Sequence, residues 1–167
     1  SMTTTNVREA AASDIAGICK VLDSSLLRKQ SYQDQSWGEG HFSEDEVADL
    51  LGSGTALVAE KDGVVIGFVQ FTKTDTNMWD ELGNDGTAFY IHRLSRLVEE
   101  SSTKGLGEML IAEVNKRAYK AGRKYLRLDC PAANNTLCGY YENLGFKRVN
   151  TSSDGRAGYY QKPLESC

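Results

Sequence analysis

The sequence predicts an α/β domain on a sheet of mixed strand directions, and three observations carry that expectation. Apolar residues recur at helical spacing within the first thirty residues. An Asp62-Gly63 turn joins two runs of β-branched residues. Beyond it, strand-like and helix-like segments alternate to the C-terminus. A tight turn makes antiparallel neighbours and a strand-helix-strand crossover makes parallel ones, so both directions are expected.

Taken in order, Ser13 and Asp14 are expected to cap a first helix carrying Ile15, Ile18, Leu22 and Leu26 on one face. Between Ser31 and His41 no period is visible. Ser43-Glu44-Asp45-Glu46 is a capping box ahead of Val47, Leu50 and Leu51, and that helix should stop at Gly52. The runs Ala56–Ala59 and Val64–Val69 flank Lys61-Asp62-Gly63 and predict a hairpin. A polar loop from Asp75 to Gly86 leads into a strand from Ala88 that extends to Leu97. A helix opening at Lys104-Gly105-Leu106-Gly107 places Leu106, Leu110, Val114 and Ala118 on one face, with Met109 beside them, and Gly122 closes it. Tyr125–Cys130 is the next strand. The last helix starts at Asn134 or Asn135, buries Leu137, Tyr140, Tyr141 and Leu144, and ends at Gly145. Lys147–Asn150 and Gly158–Lys162 follow as closing strands.

The 167 residues fit one domain, expected over 3–167, with Ser1 and Met2 read as the remnant of an expression tag. The net charge of −4 offers no basic footprint, so no nucleic-acid partner is expected. No apolar run approaches the ~18 residues of a membrane span, so the expectation is a soluble, cytoplasmic protein with no membrane partner. Four cysteines without a CxxC pair and two histidines point away from a metal site. Cys19, Cys130 and Cys138 read as buried reduced thiols, and Cys167 as an exposed terminus.

The loop at Lys104 has two readings on its residues alone. It is either a plain strand-to-helix turn relieved by glycines, or a cradle where a pyrophosphate meets the bare N–H groups of a helix start. A dinucleotide fold is disfavoured, since Leu110 stands where GxGxxG needs its third glycine. The GK[ST] ending of a P-loop is missing.

Two segments carry a resemblance to a known family. Ser102-Thr103-Lys104-Gly105-Leu106-Gly107 is similar to the [RQ]xxGx[GA] coenzyme A loop of the GCN5-related N-acetyltransferases. Asn134 through Tyr141 to Gly145-Phe146 resembles that family's NxxAxxxYxxxGF signature. The order of elements extends the likeness from about Val7 to Leu164. Ser102 and Thr103 depart from the usual loop residues, and Leu137 stands where alanine is common. The resemblance implies the acyl-CoA N-acyltransferase fold: a mixed, mostly antiparallel central sheet with splayed parallel central strands, flanked by helices. It also implies acetyl-CoA as co-substrate, with no metal, and acetyl transfer to an amine.

By the same resemblance, Ser102, Thr103, Lys104, Gly105, Leu106, Gly107 and Glu108 would hold the coenzyme, helped by Asn134 and Tyr141. Backbone groups near Leu97 and Val98 would pair with its pantetheine arm and polarise the thioester carbonyl. Tyr141 occupies the family's acid position, and a phenol with an ordinary pKa of about 10 can donate at neutral pH. The base is left open among His92, Asp129, Glu81 and a water chain. The acceptor is expected against Tyr32, Trp37 and Glu39, against Trp79, Asp80, Glu81 and Asp85, and near Tyr90 and Asp129. That acidic and aromatic mix suits a cationic small molecule or peptide. A coenzyme A-sensing module without turnover is the alternative from another class. The sequence leaves pairing as a homodimer open.

Overall fold

The computed structural model describes residues 4–31, 41–97 and 105–166, with the side chains of 26–31 outside that description. The chain forms two compact units, Ser1–Phe71 with His92–Glu113 and Thr72–Ile91 with Val114–Cys167.

In the first unit, strand β1 (Asn6–Glu9) pairs antiparallel with β2 (Thr55–Lys61), which pairs antiparallel with β3 (Val64–Thr72). Asp62 and Gly63 both take positive φ, +54° and +76°, as a type I′ hairpin turn requires. Strands β2 and β3 are apolar almost throughout because both of their faces are covered. On one face, helices α1 (Ile15–Ser31) and α2 (Glu44–Ser53) bring Ile18, Val21, Leu22 and Val47 against Ala56, Val58, Val65 and Phe68. The capping box of α2 is present as expected: Ser43 Oγ accepts from Glu46 N and Glu46 Oε1 accepts from Ser43 N, each at 3.1 Å. Buried Gln70 ties β3 to the end of α2, donating to Leu50 O at 2.6 Å and Ser53 Oγ at 3.1 Å.

In the second unit, β4 (Ala88–Arg96), which crosses from one unit into the other, pairs parallel with β5 (Tyr125–Pro131) over Ala88–Tyr90 and Tyr125–Arg127. Strand β7 (Ala157–Pro163) runs antiparallel to β5 along its whole length, and β6 (Lys147–Thr151) pairs antiparallel outside β7. The hydrogen-bonded strand order is β1-β2-β3-β4-β5-β7-β6. This is a mixed, mostly antiparallel seven-stranded sheet with a parallel pair, and helices flank it. A one-turn helix α3 (Thr76–Trp79), the long α4 (Leu106–Lys120) and α5 (Asn135–Asn143) complete the elements.

Several expectations need correction. Strand β1 carries Val7 as its lone aliphatic and gives no alternating signal. Asp14 does not cap α1 from outside. It ends a 3₁₀ turn, Ala12–Asp14, and its carboxylate accepts from Ala11 N at 2.7 Å and from Arg8 at 2.8 Å. The segment 75–86 is no polar loop: α3 is followed by a 3₁₀ turn, Asp80–Asn84, and Gly83 packs so tightly on the Asp75 carbonyl that a Cβ would overlap it. In α5 the buried positions are Cys138 and Tyr141, while Leu137, Tyr140 and Leu144 are only partly covered. Leu26 and Cys167 fall outside the described side chains.

Two carboxyls link this fold to pH. The hydrogen bond from Arg8, with help from Ala11 N–H, holds Asp14 below the ordinary carboxylate range against its burial. Burial pushes Asp85 up, but hydrogen bonds from Thr87 and Arg127 outweigh it and hold Asp85 low. A depressed folded-state pKa contributes stability that is complete above the unfolded value and is lost as pH falls through the folded one. The urea midpoint, followed by circular dichroism, is therefore expected to be level from about pH 7 to about 5 and to drop below about pH 4. Asp14→Asn should lower the midpoint at neutral pH and flatten the acid loss.

Candidate functional site

In the first unit, the start of α4 is fixed by packing. A Cβ built on Gly67 of β3 would come within 2.7 Å of Leu106 Cδ2 and 3.2 Å of Leu110 Cδ1, so only glycine lets the helix approach the strand so closely. Leu106 is 1% exposed, its side chain is core, and only its backbone remains to meet a ligand. Gly105, at φ +80°, turns the chain into the helix. The bond from Met109 N to Gly105 O, 3.3 Å, follows the amides of Leu106, Gly107 and Glu108. Those three belong to the turn in which a helix has no acceptor of its own. Val98, Ser102, Thr103 and Lys104 lie outside the described residues.

Of the backbone groups expected to meet the pantetheine arm, the Leu97 N–H donates to Ile66 O at 2.9 Å. His92 is half-buried on β4, and the next residue, Arg93, takes φ +54° in mid-strand. No glycine, asparagine or aspartate marks that kink, so the sequence gives no warning of it. Ser95 Oγ donates to Arg93 O at 2.9 Å, and Ser25 Oγ of α1 exchanges 3.3 Å bonds with the backbone of Arg96.

In the second unit, α5 is tied at both ends. Asn134 Oδ1 accepts from Leu137 N at 3.0 Å, the N-cap bond that compensates an orphan donor. At the other end Phe146 N donates to Tyr141 O at 3.1 Å and Gly145 N to Glu142 O at 3.0 Å, with Gly145 at φ +99°. This is a Schellman closure, and its usual apolar contact is the edge-on packing of Phe146 on Tyr141, 5.8 Å between centroids. Tyr141 is held between that ring and Tyr140 at 5.3 Å. Burial above all, then the neighbouring Tyr140, Cys130 and Asp129, pushes its phenol well above the ordinary tyrosine range.

Around Arg127 of β5 the same unit builds a buried polar cluster. Its guanidinium donates to Gln161 Oε1 at 2.8 Å, Leu82 O at 2.7 Å, Tyr90 Oη at 3.0 Å and the Asp85 carboxylate at 3.1 Å. It also sits 5.3 Å from the centroid of the Trp79 ring and 5.5 Å from that of Tyr125. Tyr90 donates to Leu82 O, and Trp79 packs on Tyr159 at 5.2 Å.

The sequence profile of the Acetyltransferase (GNAT) family matches residues 24–146. The chain belongs to the GNAT acetyltransferase family. The Bacillus subtilis (strain 168) protein YesJ, described as an uncharacterized N-acetyltransferase, is 23% identical over 123 residues, covering 70% of this chain and 67% of YesJ. A GNAT-family acetyltransferase from Listeria monocytogenes 4b F2365 is 26% identical with a TM-score of 0.76, over 96% of this chain and 95% of that one. The PaiA N-acetyltransferase of Thermoplasma acidophilum, solved in complex with coenzyme A, is 19% identical with a TM-score of 0.74, over 96% and 99%.

Within this GNAT chain the expected site residues fall into distinct environments. Gly105, Gly107 and Glu108 lie at the open start of α4, while Asn134 caps the α5 helix that carries Tyr141. Asp129 is half-buried on β5, and Glu81 is exposed. Trp37 and Glu39, like Tyr32, are outside the described residues. Tyr90, expected beside the acceptor, is 1% exposed with its hydroxyl engaged by Leu82 and Arg127. Trp79 is likewise core, because one helical turn carries it inward. Arg127 and Tyr159 were not anticipated. A charged residue between Leu126 and Leu128 is the available signal, since alternation puts it on the opposite face from both leucines. Among the described residues, no three His, Cys, Asp or Glu side chains group to hold a metal ion, and no helix is long and apolar enough to cross a membrane.

Gly145→Ala tests the closure of α5. A left-handed φ costs an L-residue about 1–2 kcal/mol, and the new methyl would meet only the flexible end of Lys162 at 3.3 Å. The expected result is a urea-unfolding loss of about that size.

Proposed function

We propose that this GNAT chain transfers the acetyl group of acetyl-CoA directly to a primary amine. The observation that carries the reading is the start of α4. Gly105 turns at positive φ, Leu106 is locked onto Gly67, and the amides of Leu106, Gly107 and Glu108 stand in the first turn. A Cβ on Gly105 would meet nothing within 4 Å, so the residues present fit a bulky anion resting on the backbone there. Coenzyme A bound to the PaiA structure supports the choice of anion. Ser102, Thr103 and Lys104 complete the loop on the family pattern, and with Leu97's N–H used in the sheet, the donor to the thioester carbonyl falls to Val98.

Acetyl-CoA supplies an activated thioester, and the chain's part is to hold it, polarise it and move protons. Tyr141 protonates the leaving thiolate. Its raised pKa keeps the proton on the phenol through neutral and moderately alkaline pH, which is the state a general acid needs. Asn134 acts indirectly, by capping the helix that carries Tyr141. His92 and Asp129 are the candidates for taking the proton of an incoming ammonium.

The acceptor is a cationic amine. The phenol of Tyr159 is pushed up by burial and then by the charges of Asp129 and Asp80, the field that would attract an ammonium. Exposed Glu81 adds to it, and Trp37 and Glu39 are further contributors. The chain acts as one catalytic domain over residues 3–167.

Calorimetry with acetyl-CoA, coenzyme A and NAD tests the first step. Micromolar binding of both coenzymes but not NAD, abolished in a Gly105→Glu, Gly107→Glu double variant, is expected, and absence of binding to folded wild type would overturn the reading. Tyr141→Phe should bind acetyl-CoA normally and lose about 10²-fold or more in turnover, while wild-type turnover should not fall between about pH 7 and 10. Binding of acetyl-CoA without turnover of any amine would instead identify a sensing module. For the acceptor, Asp80→Asn with Glu81→Gln is expected to raise KM for diamines about tenfold relative to uncharged amines. An unchanged ratio would remove the cationic assignment and leave acetyl transfer standing.

A further inference from the structure

Cys130, near the end of β5, and Cys138, one turn into α5, are 2% and 5% exposed, and their sulfurs touch at 3.3 Å. The acetyl-transfer chemistry uses neither. Cys138 Sγ also contacts Pro131 O at 3.4 Å and receives Arg148 Nη2 at 3.8 Å. That guanidinium is itself held by Tyr160 Oη, through Nε at 3.2 Å and Nη2 at 3.0 Å, and lies 5.3 Å from the Tyr160 ring centroid. Arg148 is exposed, so the cation beside the thiol pair borders on water.

We propose that Cys130 and Cys138 are an oxidation site, closing to a reversible intrachain disulfide when the protein meets a two-electron oxidant of the hydroperoxide class. The sulfurs are 3.3 Å apart and bonding distance is about 2.0 Å, so closure needs roughly 1.3 Å of approach. Side-chain rotation and a small settling of the first turn of α5 supply it. Burial above all, with Cys138 alongside, keeps the Cys130 thiol protonated. The first attack belongs to Cys138, the sulfur that has the Arg148 guanidinium beside it at 3.8 Å.

In that step the Cys138 thiol gives up its proton and its sulfur attacks one peroxide oxygen. The O–O bond breaks, and the departing oxygen leaves as water, with Cys138 becoming a sulfenic acid. The Cys130 sulfur then attacks the sulfenic sulfur, the S–O bond breaks, and hydroxide leaves with the Cys130 proton as a second water. Two thiols lose two electrons and two protons, and one peroxide becomes two waters. A dithiol reductant reverses the result. The bond links the end of β5 to the turn of α5 that precedes Tyr141, and it does not depend on the identity of the acyl acceptor.

The test uses the full chain, reduced, desalted and treated with hydrogen peroxide, followed by peptide mapping without reductant. The expected product is one crosslinked species joining the Cys130 and Cys138 peptides. Intact mass should show the loss of two hydrogens, with dithiothreitol restoring the starting mass. Arg148→Gln should slow closure by roughly threefold or more, and Cys138→Ser should leave Cys130 a thiol under the same treatment. Should Cys138→Ser misfold by circular dichroism, Cys138→Ala takes its place, and the wild-type map decides independently of both. The proposal is overturned if Cys130 and Cys138 stay reduced while Cys19 or Cys167 reacts. It is equally overturned if each is oxidised without crosslinking, or if the bond forms only in urea.

Discussion

A single buried cation organises the second unit. Arg127 sits among rings and carbonyls at 3% exposure, and burying a guanidinium is costly unless its donors are answered. Here Asp85 supplies the countercharge, Leu82, Tyr90 and Gln161 accept further hydrogen bonds, and the faces of Trp79 and Tyr125 lie close by. Each partner is fixed by that demand. The one-turn helix α3 and its 3₁₀ continuation exist where they do because Trp79 and the Leu82 carbonyl must both reach the same side chain. The paired ends of β4 and β5 are joined through it as well, since Tyr90 and Arg127 are register partners.

In the first unit the corresponding constraint is absence of bulk. Gly67 removes a side chain where β3 meets Leu106 and Leu110, and the direction of α4 follows from that contact. The amides at the helix start are thereby held by core packing.

Most of the fold was legible because its signals are local. The Asp62-Gly63 turn, the Ser43-Glu46 box and the Gly145 closure each act over a few residues, and each forms as the sequence implies. The failures are non-local. Strand β1 shows no pattern because a four-residue edge strand needs none, and its placement rests on pairing with β2. Asp14 was misjudged because its decisive partner, Arg8, lies on that unseen strand. The burial of Trp79 and Tyr90 was not foreseen because aromatic composition does not distinguish a core from a pocket; both pack against Arg127. At the candidate site, the start of α4 at Gly105-Leu106 and the Gly145 end of α5 were readable from local residue types, whereas the roles of the α5 residues came only from the family resemblance. The kink at Arg93 and the use of the Leu97 amide were not, since backbone conformation at non-glycine residues leaves little trace in sequence.

Helix α5 is nine residues long, shorter than the roughly twelve to fifteen at which isolated helices begin to hold in water. Its order is borrowed from the Asn134 cap, the Gly145 closure and the sheet beneath it. Such an element holds only while those ties hold, so the place of the Tyr141 phenol is decided at the two ends of the helix as much as by the rings beside it.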